Sequence, residues 1–248
     1  MAERIFLTVD GSRMECLVAV PGEAGIRPAL VIAPHLPADR GLEADAFTHG
    51  VADRYADAGY ACAVPQVFHR QPLERERPEK RRHMHDDEVM RDLTAARELL
   101  AARDDVDGGR IGVLGHCTGG RMAILAATRD GAYRAAIDFW GGGVNAPWGA
   151  GMPAPLDRVA DIGCPVAGFF GNEDSSPSPE EVDELESALR RHGKPHEFHR
   201  YDGAGHAFQN FANPDRFRPE ASEDAWAKAV DFLDRHLKGY MAGGRSDP

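Results

Sequence analysis

Short apolar runs and longer amphipathic segments follow one another along the chain. The apolar runs predict strands, and the segments with apolar residues at helical spacing predict helices. The predicted strands span residues 4–9, 14–20, 29–33, 60–64, 110–114, 135–140, 166–170 and 197–201. The predicted helices span residues 44–58, 88–102, 119–128, 179–192 and 222–237. From the third strand onward the two kinds of element mostly alternate, which is typical of an α/β protein.

This order of elements predicts a mostly parallel central sheet with helices on both faces. The Asp-Gly pair at residues 10–11 separates the first two strands and predicts an antiparallel N-terminal hairpin. Residues 70–87 are polar, charged and non-periodic, which indicates a long mobile segment near the ligand-binding end of the sheet. Because the sequence shows no internal repeat and no domain linker, we predict one domain over residues 1–248, with residues 242–248 as a flexible tail.

Composition and charge narrow the classes of partner. The chain has 248 residues with a formal net charge of -11, which disfavours binding to nucleic acid or to anionic membranes. No apolar run approaches the ~20 residues that cross a bilayer. The N-terminus has no basic region followed by an apolar run, so we expect a cytoplasmic protein.

The four cysteines are predicted to be reduced thiols rather than zinc ligands or disulfides. None lies in a C-x-x-C pair, and Cys16, Cys62 and Cys164 each lie in or beside an apolar run that favours burial. His83 and His85 do not share a helix face, and no third ligand accompanies them, so we predict no metal site.

The strongest chemical signal is Gly-His-Cys-Thr-Gly at residues 115–119. It lies between a predicted strand and a predicted helix, as does the G-x-S-x-G turn that exposes the nucleophile of α/β-hydrolases. Here Cys117 takes the place of the serine. The adjacent helix N-terminus would favour the thiolate, so the pattern predicts a cysteine nucleophile.

A candidate acid and a candidate base follow two later strands. Asp174 comes after the strand 166–170, with Glu173 beside it as the competing acid. His206 comes after the strand 197–201 in a glycine-rich loop. Because the carboxyl ends of parallel strands face one crevice, these groups should meet Cys117 there. The order nucleophile, acid, base is that of α/β-hydrolases.

These motifs make the sequence resemble the dienelactone hydrolase family, which has a cysteine nucleophile on an α/β-hydrolase fold. The likeness extends over residues 30–237 and includes Gly-Asn-Glu-Asp at 171–174 and Ala-Gly-His-Ala-Phe at 204–208. The resemblance implies Asp174 rather than Glu173 as the acid. It also implies an oxyanion hole formed by the backbone N–H groups of Leu36 and Thr118.

Two positions of possible substrate contact differ from the family pattern. His35 stands where the best-known members have a glutamate that pairs with the resting thiol, and Asn210 where they have an arginine for the substrate carboxylate. The absence of that arginine favours neutral substrates. One alternative stays open, since an arginine from the segment 70–87 could supply the charge. The candidates are Arg75, Arg77, Arg81 and Arg82.

The predicted function is hydrolysis of a small-molecule ester or lactone through a thioester acyl-enzyme. Cys117, His206 and Asp174 suffice for this chemistry, so no cofactor is expected. One alternative is a thioesterase or acyltransferase that uses the same three residues. Another is a catalytically silent binding protein, because fold alone does not fix function. The oligomeric state is not predicted.

Overall fold

The computed structural model describes residues 2–239, and the predicted tail 242–248 lies outside them. The strands are β1 (Glu3–Val9), β2 (Ser12–Ala19), β3 (Arg27–Ala33), β4 (Ala61–Pro65), β5 (Val106–His116), β6 (Ala136–Phe139), β7 (Val166–Gly171) and β8 (His196–Tyr201). The α-helices are α1 (Ala46–Asp57), α2 (Arg77–Arg82), α3 (Asp86–Ala101), α4 (Thr118–Arg129), α5 (Pro179–Arg191) and α6 (Pro219–Leu233). Short 3-10 helices span Leu36–Arg40, Leu42–Ala44 and Pro155–Asp161, and a π-helical turn spans Asp234–Lys238.

The eight strands form one sheet in the order β1-β2-β4-β3-β5-β6-β7-β8. β2 pairs antiparallel with β1 and with β4, and all the other pairs are parallel. This confirms the predicted α/β fold with an antiparallel N-terminal hairpin. The chain moves from β3 outward to β4 and then returns to β5 on the other side of β3. Such a reversal of strand order opens a crevice at the carboxyl ends of β3 and β5.

β3 is buried along its whole length, and its alternate side chains enter two hydrophobic clusters. Val31 packs in a cluster that contains Leu93 of α3, whereas Ile32 packs in a cluster that contains Tyr55 of α1 and Phe232 of α6. A continuous apolar strand is expected where helices cover both faces of a sheet. The helices therefore cover both faces of the centre of the sheet beneath the crevice.

The segment 70–87 contains more regular structure than its sequence predicts. Residues Arg77–Arg82 form α2, with Pro78 in the first turn, where its missing N–H costs nothing. Lys80 is fully buried, and its Nζ atom lies 2.9 Å from Oδ2 of Asp39. Because the buried side chain is a lysine paired with a carboxylate, the helix has no apolar periodicity that the sequence could reveal.

Candidate active site

The sharp turn around Cys117 is made possible by glycines. β5 ends at His116 and α4 begins at Thr118, so Cys117 alone joins them, with φ of 55° and ψ of -123°. This left-handed region is costly for a residue with a side chain and is typical of functional sites. A Cβ atom on Gly119 would lie 2.1 Å from the carbonyl oxygen of Ala33. Only glycine therefore lets α4 start this close to the end of β3.

The structure brings the three predicted residues together. Nε2 of His206 lies 3.2 Å from Sγ of Cys117, and Nδ1 of His206 lies 2.9 Å from Oδ2 of Asp174. The backbone N–H of Ser176 donates to the other oxygen of Asp174 at 2.9 Å. Asp174 is buried and Glu173 is exposed. Of the two candidate acids, Asp174 is thus the one in contact with the imidazole.

The electrostatics of the pair favour a thiolate beside an imidazolium. Burial raises the pKa of the Cys117 thiol, but hydrogen bonds and charge from His206 and the contacts with Thr118 outweigh burial and lower it. Burial lowers the pKa of His206, but hydrogen bonds to Asp174 and Cys117 outweigh burial and raise it to about 10. Each group therefore stabilises the charged form of the other.

A cavity of about 270 Å³ opens above the thiol. Cys117, His206 and Trp148 line it together with Arg81 of α2 and Arg216 from the segment before α6. Arg81 is one of the arginines considered from the sequence, whereas Arg216 was missed. Arg216 lies in an irregular segment without a motif, so only the folded chain shows that it reaches the cavity.

His35 and Asn210 are engaged elsewhere. Nε2 of His35 lies 2.6 Å from Oδ2 of Asp45, and its buried ring packs 5.0 Å from the ring of Phe47. The side-chain oxygen of Asn210 accepts a hydrogen bond from the backbone N–H of Ala212 at 3.0 Å. Neither residue lines the cavity above Cys117. Both side chains make local contacts instead, and besides His206 the cationic side chains that line the cavity are those of Arg81 and Arg216.

Leu36 and Thr118 occupy positions compatible with an oxyanion hole. Thr118 opens α4 and lines the cavity, and Leu36 opens the 3-10 helix that follows β3. Pro34, two residues before Leu36, lies close to the start of α4, since its carbonyl oxygen would be 3.0 Å from a Cβ atom on Gly119. The two backbone segments therefore flank the nucleophile, and their role as oxyanion donors remains a prediction.

A buried ion pair fixes one wall of the cavity. Arg121 of α4 donates from Nη1 to Oδ1 of Asp86 at 2.7 Å and from Nη2 to Oδ2 at 3.1 Å. The backbone N–H of Trp148 donates to the same carboxylate at 3.0 Å, and the guanidinium lies 3.8 Å from the centroid of the Trp148 ring. Arg121 is a charged residue within an otherwise apolar stretch of α4, and this is the sequence signal that could have revealed its buried ion pair.

Residues 2–239 contain neither a cluster of metal-ligating side chains nor a membrane-spanning helix. In this range no group of three or more His, Cys, Asp or Glu side chains could hold a metal ion. None of the helices between these residues has the length and apolar character that a membrane span requires.

Comparison with known proteins identifies the family. The model of the dienelactone hydrolase family matches residues 14–237. The carboxymethylenebutenolidase of Rhodococcus opacus is 31% identical over 199 residues, which is 77% of this chain and 76% of the relative. A Bradyrhizobium protein named "Probable 2-oxo-3-(5-oxofuran-2-ylidene)propanoate lactonase" is 30% identical over 93% of this chain and 92% of its own length.

Solved structures agree on the fold. The structure of a dienelactone hydrolase-like promiscuous phosphotriesterase from metagenomic libraries superposes with a TM-score of 0.80 at 19% identity. The superposition covers 96% of this chain and 98% of that one. With the α/β-hydrolase architecture and a family match over nearly the whole described chain, this protein belongs to the dienelactone hydrolase family of ester and lactone hydrolases.

Proposed function

We propose that the protein hydrolyses a carboxylic ester or lactone with Cys117 as nucleophile, His206 as general base and Asp174 as the group that orients His206. The observation that carries this proposal is the continuous chain of contacts from Sγ of Cys117 through both ring nitrogens of His206 to Asp174. This arrangement is that of a catalytic triad, in which the carboxylate fixes the tautomer of the imidazole.

The reaction proceeds in two acyl transfers. The Cys117 thiolate attacks the carbonyl carbon, and the backbone N–H groups of Thr118 and Leu36 stabilise the negative oxygen. The C–O bond of the substrate then breaks, and His206 gives its proton to the leaving oxygen. This leaves a thioester on Cys117. Water attacks that thioester while His206 accepts its proton, which releases the acid and restores the thiolate.

The cavity favours a substrate with a negative charge. Arg81 and Arg216 both line it, and a guanidinium is well suited to a carboxylate. The Bradyrhizobium relative is likewise named for a lactone that is also a carboxylate. We therefore propose a carboxylate-bearing lactone or ester, in contrast to the neutral substrates that Asn210 alone suggested.

The test compares a dienelactone carboxylate with 4-nitrophenyl acetate, which is neutral. Wild type should turn over both, and iodoacetamide should abolish both activities. Cys117→Ala should lower kcat by a factor on the order of 10³ or more, with thermal stability retained. A folded Cys117→Ala protein with most of its activity would contradict the role of Cys117. A silent binder would be alkylated without any turnover to lose, and an acyltransferase would prefer an added alcohol to water.

The arginines are tested with the same two substrates. Arg81→Gln and Arg216→Gln should each lower kcat/KM for the carboxylate substrate by about tenfold, because each removes a charge-assisted hydrogen bond. Turnover of 4-nitrophenyl acetate should change little. The matched control is Arg82→Gln, since Arg82 neighbours Arg81 but is exposed and pairs with Glu79 outside the cavity. If Arg82→Gln had the same effect as Arg81→Gln, the charge would act generally and not as a binding group.

A further inference from the structure

The helix α2, which carries Arg81, has no apolar face with which to pack against the rest of the protein. Of its six residues, Arg77–Arg82, only Pro78 is apolar, and Lys80 is the only one that is buried. A lysine is almost never fully buried unless its charge is paired. The attachment of α2 therefore depends on what the side chain of Lys80 contacts.

Lys80 binds the segment that follows β3. Its Nζ atom lies 2.9 Å from Oδ2 of Asp39 and donates to the carbonyl oxygens of Asp39 at 3.1 Å and Leu73 at 3.2 Å. Asp39 is itself buried, and its Oδ1 atom accepts a hydrogen bond from Nε of Arg77 at 3.0 Å. One carboxylate thus holds two residues of the same short helix.

This attachment fixes the backbone beside Arg81. Arg81 directly follows Lys80 and lines the cavity above Cys117. Its Nη2 atom would lie 3.5 Å from a Cβ atom on Gly143, in the loop that follows β6. The next buried residue along the chain is Met84, which packs in the hydrophobic core. Without the ammonium group of Lys80, α2 would keep its anchor at Met84 and lose the one next to Arg81.

The 3-10 helix Leu36–Arg40, which contains Asp39, has an attachment of its own. The carbonyl oxygen of Ala38 accepts a hydrogen bond from Nε2 of Gln66 at 2.7 Å, and Gln66 is buried directly after β4. Loss of the contact with Lys80 would therefore release α2 rather than this 3-10 helix. The backbone N–H of Leu36, at its start, should keep its place.

From these contacts we propose that Lys80, through its ion pair with Asp39, is a positioning residue that determines the preference for an anionic substrate. It touches neither the substrate nor the thiol, and it acts by holding Arg81 over the cavity. The proposal rests on the proposed function, in which Arg81 binds the substrate carboxylate. A charge-assisted hydrogen bond depends on distance and direction, so an arginine on a loosened helix binds a carboxylate less tightly.

The test uses Lys80→Met, which keeps a long unbranched side chain and removes the ammonium group. Asp39 keeps its contact with Arg77 in this variant. For the dienelactone carboxylate, kcat/KM should fall about fivefold, mainly through a higher KM. Turnover of 4-nitrophenyl acetate should change by less than about twofold, because that substrate has no carboxylate for Arg81. A loss of general structural integrity would instead lower both activities alike.

A double variant shows whether Lys80 acts through Arg81. In the Arg81→Gln background, Lys80→Met should cause no further loss with the carboxylate substrate, because the group that it positions is already gone. Arg77→Gln loosens the same carboxylate at an exposed position with little risk to folding. It should lower kcat/KM for the carboxylate substrate alone, by about twofold to threefold, and it decides the question if Lys80→Met does not fold.

The outcomes separate this proposal from the proposed function. If Arg81→Gln weakens the carboxylate substrate but Lys80→Met and Arg77→Gln do not, the positioning role is overturned and the role of Arg81 stands. Additive losses in the double variant, or equal losses with both substrates, would overturn the positioning role as well. If Arg81→Gln itself has no effect on the carboxylate substrate, both proposals for this helix are overturned together.

Discussion

At the scale of single residues, the chemistry depends on which of two opposed effects on the Cys117 thiol is larger. Burial disfavours the thiolate, whereas the proton that His206 accepts stays close to the sulfur and favours it. The effect of His206 on the thiol pKa is larger than that of burial, because Asp174 holds the imidazole in place and stabilises its cationic form. The reactivity of the thiol is therefore a property of the three residues together.

The pH dependence of thiol alkylation tests this coupling. With the pKa of Cys117 lowered from its ordinary value of 9.0 and that of His206 raised to about 10, the ion pair should form at a lower pH than that at which a free thiol ionises and should persist to near pH 10. The rate of alkylation by iodoacetamide should then be nearly flat over that range. In the His206→Gln variant, burial would raise the pKa of the thiol without the opposing effect of the imidazolium. The rate of alkylation at pH 6 should therefore fall by about tenfold or more. Equal rates for both proteins at pH 6 would show that His206 does not activate the thiol.

The choice of acid is tested by two neighbouring substitutions. Asp174→Asn removes the carboxylate that contacts His206, so kcat should fall by a factor on the order of 10² or more. Thermal stability should stay close to that of wild type. Glu173→Gln is the matched control, because Glu173 is adjacent but exposed, and it should change kcat by less than about twofold. A larger effect at Glu173 than at Asp174 would reverse the assignment.

At the scale of elements, the sequence predicted what is encoded locally and missed what depends on distant contacts. The strand, glycine-rich turn and helix around Cys117 are contiguous in the sequence, so the turn could be predicted. Asp174 and His206 each follow a strand, so the sequence also predicted that they lie with Cys117 at the edge of the sheet formed by the carboxyl ends of the strands. The pairing of His35 with Asp45 and the approach of Arg216 to the cavity depend on segments brought together by folding. Neither leaves a periodic pattern in the sequence.

The junction between β5 and α4 depends on a close approach that a substitution can test. A methyl group on Gly119 would meet the carbonyl oxygen of Ala33 at 2.1 Å, and this backbone cannot move without displacing β3. Gly119→Ala should therefore destabilise the fold by about 1–3 kcal/mol. Activity should fall as well, because Cys117 would shift.

Gly131 provides the control for that substitution, since a Cβ atom there would have no neighbour within 4 Å. Gly131→Ala should change stability by less than about 0.5 kcal/mol, as surface changes usually do. Thermal unfolding of both variants measures the difference. An equal loss for the two would mean that the contact with Ala33 is not what requires glycine at 119.

At the scale of the whole molecule, global and local charge have opposite signs. The net charge is -11, yet two arginines line the cavity above Cys117 and a fully buried lysine anchors α2. The composition therefore described the surface and not the site.

The sheet also has a buried acid near its centre. Asp138 of β6 is fully buried and accepts one hydrogen bond, from the N–H of Gly141 at 2.7 Å.

The buried Asp138 makes the stability of the whole molecule depend on pH. Burial raises its pKa well above the usual range, in spite of the hydrogen bond from Gly141. A raised folded pKa gives a contribution to stability that is complete below about pH 3.8 and is lost as pH rises toward the folded value. Asp138→Asn avoids this loss, so the variant should gain on wild type by up to about 1.4 kcal/mol per pH unit above pH 4.

Thermal unfolding at several pH values measures that gain, which should appear as a rise of roughly 2–4 °C for each kcal/mol. Asp57→Asn, at an exposed position, is the control for the loss of one carboxylate charge alone. A constant difference between Asp138→Asn and wild type from pH 4 to pH 8 would mean that Asp138 is charged in the folded protein.

The distribution of the cysteines determines how the protein responds to an oxidant. Cys16, Cys62 and Cys164 are buried, and burial raises the pKa of Cys16 to about 12 and that of Cys164 to about 11. Peroxide would therefore react first with the accessible, low-pKa thiol of Cys117 and form a sulfenic acid. Since the other three thiols are buried and protonated, they are poorly placed to trap that product as a disulfide. Protection from further, irreversible oxidation then depends on small thiols supplied by the surroundings.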